Sequence, residues 1–230
     1  MNRGRALAAV TAGFWAGAVP FSNLAARRLA GVDLRSYGTG TVSGTGLYEV
    51  TGIAPLVVVG LLELGKGALG PALAGPSRPV AGALAGAAAV VGHNWSPFLG
   101  GAGGRGISPA MGALVPSAPA AAAVLLAGLA VGKLAGETAV GCFVADLALV
   151  PLAARAHGRR GALAAGAVLL PMVVKRLAGN GPPSQPGLSV YWWRLLLDRD
   201  APGRPADPAD RERPHRPGLP ARPGLPEERR

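Results

Sequence analysis

The sequence predicts an all-α integral membrane protein. About seven transmembrane segments are expected, one short or broken, with Gly-rich polar loops forming a site on the cytoplasmic face. Three observations carry this. Half of the 230 residues are apolar and only 15% are charged, against roughly a quarter charged in soluble domains. Apolar runs near the ~20 residues that cross the hydrocarbon recur along the chain. Ala and Gly do much of the apolar work, and small residues let membrane helices approach closely.

The formal net charge is +11. Residues 201–230 hold seven Arg against five acids, so most of the excess lies in the body of the chain. Such an excess suits anionic headgroups or anionic substrates. No nucleic acid is expected as a partner, because the charges sit in short loops between apolar runs. The single cysteine, Cys142, lies in an apolar run. It supports neither an intramolecular disulfide nor a zinc cluster, and it reads as a packing residue. No metal and no cofactor are expected.

The first span is placed at about Ala6–Ala26, with a kink or break at Pro20. Arg3 and Arg5 before it mimic a signal peptide, but no convincing small-residue cleavage site follows and another long apolar run comes after Gly52, so the segment is read as retained. Residues 27–52 form a polar loop. Its second half alternates Gly with hydroxyl residues, which disfavours a helix and favours turns whose N–H and O–H groups point at a ligand. A flexible linker is the alternative. The second span covers about Ile53–Leu73. Glu63 and Lys66 inside it share a helix face, as an ion pair or as part of a site. The third covers Val80 to about Val91 and leads into Gly92-His93-Asn94-Trp95-Ser96-Pro97-Phe98-Leu99-Gly100-Gly101-Ala102-Gly103-Gly104-Arg105-Gly106. Its glycines permit backbone N–H groups to converge on an anion, and Arg105 adds a planar charged fork.

Ile107–Leu134 is too long for one straight crossing and too short for two. A split near Pro116–Pro119 gives a short broken segment and a fuller one. Further spans are expected at about Ala139–Ala154 and Gly161–Val174, joined by the basic loop Arg155–Arg160. Counting the broken segment yields seven, which puts both Gly-rich loops and the basic end Lys175-Arg176 on one face. Arg27, Arg28, Arg35, Arg105, Lys175 and Arg176 favour a cytoplasmic location for it. Arg3, Arg5 and the 155–160 loop oppose that. Residues 178–200 are read as a juxtamembrane segment with the aromatic anchor Tyr191-Trp192-Trp193-Arg194, a short amphipathic helix lying on the membrane being the alternative. Residues 201–230, with eight prolines, are read as a disordered tail. The membrane domain is therefore 1–177.

Three motifs, in order and spacing, resemble the bacterial acyl-phosphate:glycerol-3-phosphate acyltransferases (the PlsY family). Asp33-Leu34-Arg35 with Gly38-Thr39-Gly40 and Thr45 resembles D-I-R…G-S-G-N-x-G-A-T-N. Glu63-Leu64-Gly65-Lys66-Gly67 resembles D-x-x-K-G. Gly92, His93, Phe98, Gly103, Gly104 and Gly106 match G-H-x-x-P-x-F-x-x-F-K-G-G-K-G, with Arg105 where that pattern has its second Lys. The resemblance implies a multi-pass protein of the bacterial cell membrane, active in phospholipid synthesis. It would transfer a fatty acyl group from acyl phosphate to glycerol 3-phosphate, among membrane lipids and without an acyl-enzyme. It implies His93 and Arg105 as catalytic residues. Arg35, Thr39, Thr45, Lys66, Gly103, Gly104 and Arg176 would bind the substrate phosphates.

The chain also departs from the pattern. Thr41 and Gly46 replace Asn, Glu49 replaces Arg and Ala102 replaces Lys. Of H-x-x-N-I-x-R-L only Arg176 and Leu177 persist. The alternative reading is a catalytically impaired paralogue that keeps the fold as an anionic lipid-binding membrane protein. Asp146, Glu137 and His157 match no motif and read as structural.

Overall fold

The computed structural model describes residues 3–184 and 186–202; most of the stretch expected to be a disordered tail, 203–230, lies outside them. Among the described residues every regular element is helical. Helix α1 (Arg3–Ala18) and helix α2 (Phe21–Ala30) are separated at Val19-Pro20, where proline cannot continue the hydrogen-bond ladder. The freed carbonyls are satisfied by side chains from elsewhere. Ser96 Oγ donates to Ala18 O at 2.6 Å and Lys66 Nζ to Val19 O at 2.8 Å. Gly31 then ends α2 in a left-handed conformation, φ 68°.

The segment 27–52 is more ordered than the polar loop expected there. After a turn at Leu34–Ser36, Gly44–Thr51 forms α3. Its propensity is poor, but Ser43 caps it by accepting from Gly46 N at 3.1 Å. Leu47 is fully buried in a cluster with Leu34, Val42 and Val59. Packing supplies what propensity does not.

Helix α4 (Ile53–Ala74) leads to α5 (Pro79–Asn94), close to the expected second and third spans. The long apolar region divides between α6 (Ile107–Leu114) and α7 (Pro119–Leu134), the split expected at its prolines. Helix α8 (Thr138–Ala178) is continuous except at Gly158, whose φ 60° and ψ −152° are not helical. The basic residues 155–160 therefore do not make a separate loop. Helix runs up to Gly158 and away from it, and the two halves pack together: a Cβ on Gly161 would overlap the backbone of Ala153. Helix α9 (Ser189–Leu197) follows.

Contacts between helix ends separate the chain into two faces. On one, Arg5 Nε donates to Leu73 O and Ala120 N donates to His157 Nε2. On the other, Arg176 Nη1 donates to Ala139 O, and Arg199 pairs with Glu137 at 3.1 Å. That second face carries the segments 31–52, 95–106, 179–184 and 186–202. Between the faces the helices touch through small residues. A Cβ on Gly17 would overlap the backbone of Ala89, and one on Gly112 that of Leu64, which brings α1 onto α5 and α6 onto α4. Arg3–Ala30, Ile53–Ala74 and Thr138–Ala178 are long and apolar enough to cross a membrane. Leu61, Leu147 and Leu170 point outward from them, as lipid-facing side chains do.

Candidate functional site

Two helices meet beneath the face that carries the polar loops. From α4, Glu63 and Lys66 are both buried; from the last turn of α5 comes His93. Lys66 Nζ lies 2.8 Å from Glu63 Oε2 and 3.1 Å from His93 Nδ1, and His93 Nδ1 lies 3.2 Å from Glu63 Oε2. The ammonium also donates to Val19 O and is thereby turned inward. Neither Glu63 carboxylate oxygen has a hydrogen-bond partner among the described residues, so the contacts of Oε2 with Lys66 and His93 are contacts of charge. The cluster fixes the His93 ring from one side, and glycine fixes it from the other: a Cβ on Gly104 would overlap His93 Nε2 and meet Val42 O.

Over this cluster the 95–106 turn lies against the first loop. Val42 N donates to Gly103 O at 3.2 Å and Gly104 N to His93 O at 3.3 Å. Asn180 Nδ2 donates to both Gly40 O and Gly103 O at 3.1 Å. The glycines of this turn serve close approach more than anion binding. The N–H groups of Gly100, Gly101, Ala102 and Gly104 donate to carbonyls, and a Cβ on Gly103 would overlap the backbone of His93 and Asn94. Gly106, at φ 80°, is held against Val90 and Asn94.

The charged residues ring this junction. Arg35 is exposed and pairs with Asp33, Nη2 to Oδ2 at 2.7 Å, while its Nη1 reaches Leu99 O at 3.5 Å. The hydrogen-bonded guanidinium holds the Asp33 carboxyl at about 2, below its ordinary 3.8, and Asp33 in turn raises Arg35. Thr39 Oγ1 bonds Thr41 Oγ1 at 3.1 Å, and Thr45 is exposed in the first turn of α3. Arg105 Nε bonds Asp198 Oδ1 at 2.6 Å. Arg176 is buried, donating to Ala139 O and Leu195 O. Lys175 is buried with its ammonium 5.1 Å from the centre of the Trp95 ring. No group of three or more His, Cys, Asp or Glu suited to a metal occurs among the described residues.

The sequence-derived site residues thus fall into three sets. His93, Lys66, Gly103 and Gly104 form the packed floor. Arg35, Thr39 and Thr45 lie on the first loop above it. Arg105 and Arg176 stand beside the C-terminal segment. Lys66 faces the interior instead of an open phosphate seat. Several polar residues of the junction carried no motif. Asn23 Oδ1 accepts from Leu34 N at 2.7 Å and orders the first loop. Asn94 Nδ2 donates to Pro171 O at 2.9 Å. Ser96, Asn180 and Asp198 likewise stood outside the patterns. For Asn23, Asn180 and Asp198 an Asn or Asp amid apolar or Pro-rich sequence is the signal; Asn94 and Ser96 lie inside the glycine-rich stretch without matching its pattern.

Comparison with known proteins bears on what this arrangement does. A profile of the glycerol-3-phosphate acyltransferase family matches residues 7–180. A glycerol-3-phosphate acyltransferase of Shouchella clausii is 38% identical over 110 residues, covering 46% of this chain and 54% of that protein. One of Myxococcus xanthus is 39% identical over 148 residues, covering 58% of this chain and 77% of its own. Against the first of these curated relatives, the chain spans about half of the relative's length. The crystal structure of PlsY, an integral membrane glycerol 3-phosphate acyltransferase in its glycerol 3-phosphate form, superposes with a TM-score of 0.66. It covers 74% of this chain and 88% of that one at 24% identity, a likeness of fold.

Proposed function

The chain belongs to the glycerol-3-phosphate acyltransferase family, and we propose that it acylates glycerol 3-phosphate from acyl phosphate at the junction of its first loop, glycine turn and C-terminal segment. The observation that carries this reading is the junction itself. Two Gly-rich loops are joined by Val42 and Asn180 directly over His93, with Arg35, Arg105 and Arg176 around them. Both substrates are anionic, so a cationic rim on a membrane-embedded fold suits them.

In the transfer, a hydroxyl oxygen of glycerol 3-phosphate attacks the acyl carbonyl carbon. The carbonyl oxygen takes up negative charge, then the bond to phosphate breaks and inorganic phosphate leaves. The ester product is lysophosphatidate, and the hydroxyl proton passes to His93 or to the departing phosphate. Guanidinium forks stabilise charge on the leaving group as it develops. His93 is held in one place by Lys66, Glu63 and Gly104. No acyl-enzyme is needed, and Cys142, the chain's one thiol, is buried.

The segments α1, α4, α5, α6, α7 and the two halves of α8 serve as seven crossings, with α6 the short one. The junction faces the cytoplasm of the bacterial plasma membrane. The membrane domain 1–177, the segment 178–200 and the tail 201–230 remain the working division of the chain.

The test is acyl-phosphate-dependent formation of lysophosphatidate by membranes containing the protein. Product is expected with the wild type. Arg105→Ala should lower the rate about 10²- to 10³-fold. No product from the wild type, where a standard family member gives product, overturns the reading. Glycerol 3-phosphate bound without turnover supports the anion-binding paralogue instead, a reading favoured by Ala102 and the inward-facing Lys66.

A further inference from the structure

We propose that Asp198, carried by α9, is a positioning residue for Arg105, gripping its Nε so that the rest of the guanidinium is presented to a substrate phosphate. This rests on the acyltransferase reading above. Asp198 lies beyond the family match, which ends at 180.

The first ground is the geometry of the pair. Asp198 Oδ1 lies 2.6 Å from Arg105 Nε, and the two side chains are only 22% and 13% exposed. One donor is used there. Arg105 Nη1 is buried and has no partner among the described residues, so the end of the fork away from Nε keeps a donor for an incoming anion. A buried donor left unpaired is costly, and a phosphate oxygen would relieve that cost.

The second ground is how firmly α9 is held. Arg194 is buried and donates from Nη1 to Leu177 O at 3.1 Å and to Ala178 O at 2.7 Å, capping the last carbonyls of α8. Its Nη2 donates to Gly181 O, and its Nε meets Asp200 Oδ1 at 2.5 Å. Arg176 donates to Leu195 O, and Arg199 reaches Glu137. A helix tied down at α8, at Glu137 just before α8, and at the 179–181 turn sets Asp198 in one position. Asp198 is also the sole non-glycine with positive φ among the described residues, at 56°. Glycine is the usual occupant of such a place after a helix. Asp accepts the conformation and adds a carboxylate, the one thing glycine would lack.

The third ground is chemical. Position 105 holds Arg where the family pattern has Lys. An ammonium is a point charge and works from many orientations. A planar fork works only when aimed. An arginine in this place needs a holder, and Asp198 supplies it. The carboxylate does not spoil the seat for anions, since Lys175 and Arg176 sit within electrostatic reach of it as well.

The test uses the full chain in detergent, comparing Asp198→Asn, Asp198→Glu and Asp198→Asn combined with Arg105→Lys. Steady-state kinetics with acyl phosphate and glycerol 3-phosphate are paired with calorimetric titration by glycerol 3-phosphate and with thermal melting. For Asp198→Asn, the KM for one of the two substrates should rise about tenfold to a hundredfold. The kcat should move less and the melting temperature little. Asp198→Glu should recover part of the loss. With Lys at 105, the penalty of Asp198→Asn should shrink severalfold.

Tighter binding by Asp198→Asn overturns the proposal, because the carboxylate would then be a competitor for the seat. The same penalty in the Arg105→Lys background also overturns it, because Asp198 would then merely brace α9. If the wild type binds glycerol 3-phosphate but does not turn over, the acyltransferase reading fails by itself. Weakened binding in Asp198→Asn would still uphold the positioning role.

Discussion

At Gly104 the absence of a side chain matters more than the freedom of the backbone. A methyl group there would displace the His93 ring and press on Val42 O. Gly104→Ala is therefore expected to lower activity about 10²-fold while the helices stay assembled, checked by turnover beside circular dichroism. The Asp33–Arg35 pair makes a second residue-scale prediction. The folded carboxyl sits at about 2, below its ordinary 3.8. The stabilisation it gives is therefore fully present above about pH 4 and is lost as pH falls through about 2. The Asp33 carboxyl carbon, followed by NMR, should titrate near 2; titration near 3.8 would show that the pair does not form. Sequence motifs reached His93 and Arg105 because those residue types are rare inside apolar chain, and reached the glycines because they cluster beside both. They did not reach Asn180 or Asp198, whose roles arise only from partners 77 and 93 residues away in the chain.

Among the elements, small residues decide which helices touch. Gly112 faces the backbone of Leu64, and Gly17 that of Ala89. Gly112→Leu should overpack the α4–α6 contact and cost about 1–3 kcal/mol or more, seen as a lower melting temperature in detergent. Because Glu63 and Lys66 lie on α4 beside that contact, turnover should fall with it. Two elements were misjudged from sequence for identifiable reasons. Gly44–Thr51 has weak propensity, and the burial of Leu47 that stabilises it is a tertiary event. Residues 155–160 are polar enough for a loop, yet one residue, Gly158, makes the whole reversal. A left-handed φ at a glycine lets helix continue on both sides of a corner.

For the whole molecule, the two groups of helix ends make a topological prediction. With Cys142 replaced by Ala, a cysteine at Glu49 or Ser184 should react with an impermeant maleimide from one side of the membrane. A cysteine at Arg160 should react from the other. Labelling of all three from the same side would refute the arrangement. The sequence by itself determined the solvent, the helical class, the approximate spans and the broken segment near Pro116–Pro119. Length, hydropathy and proline are local properties, and they act through the cost of leaving backbone polar groups unpaired in lipid. Tertiary structure alone decided that Lys66 turns inward to Glu63 and His93. It also decided that the break at Pro20 is satisfied by Ser96 and Lys66, and that α9 returns to hold Arg105. Each of these joins groups far apart in the chain. Their partners are set by which helix faces pack, and no local pattern records that.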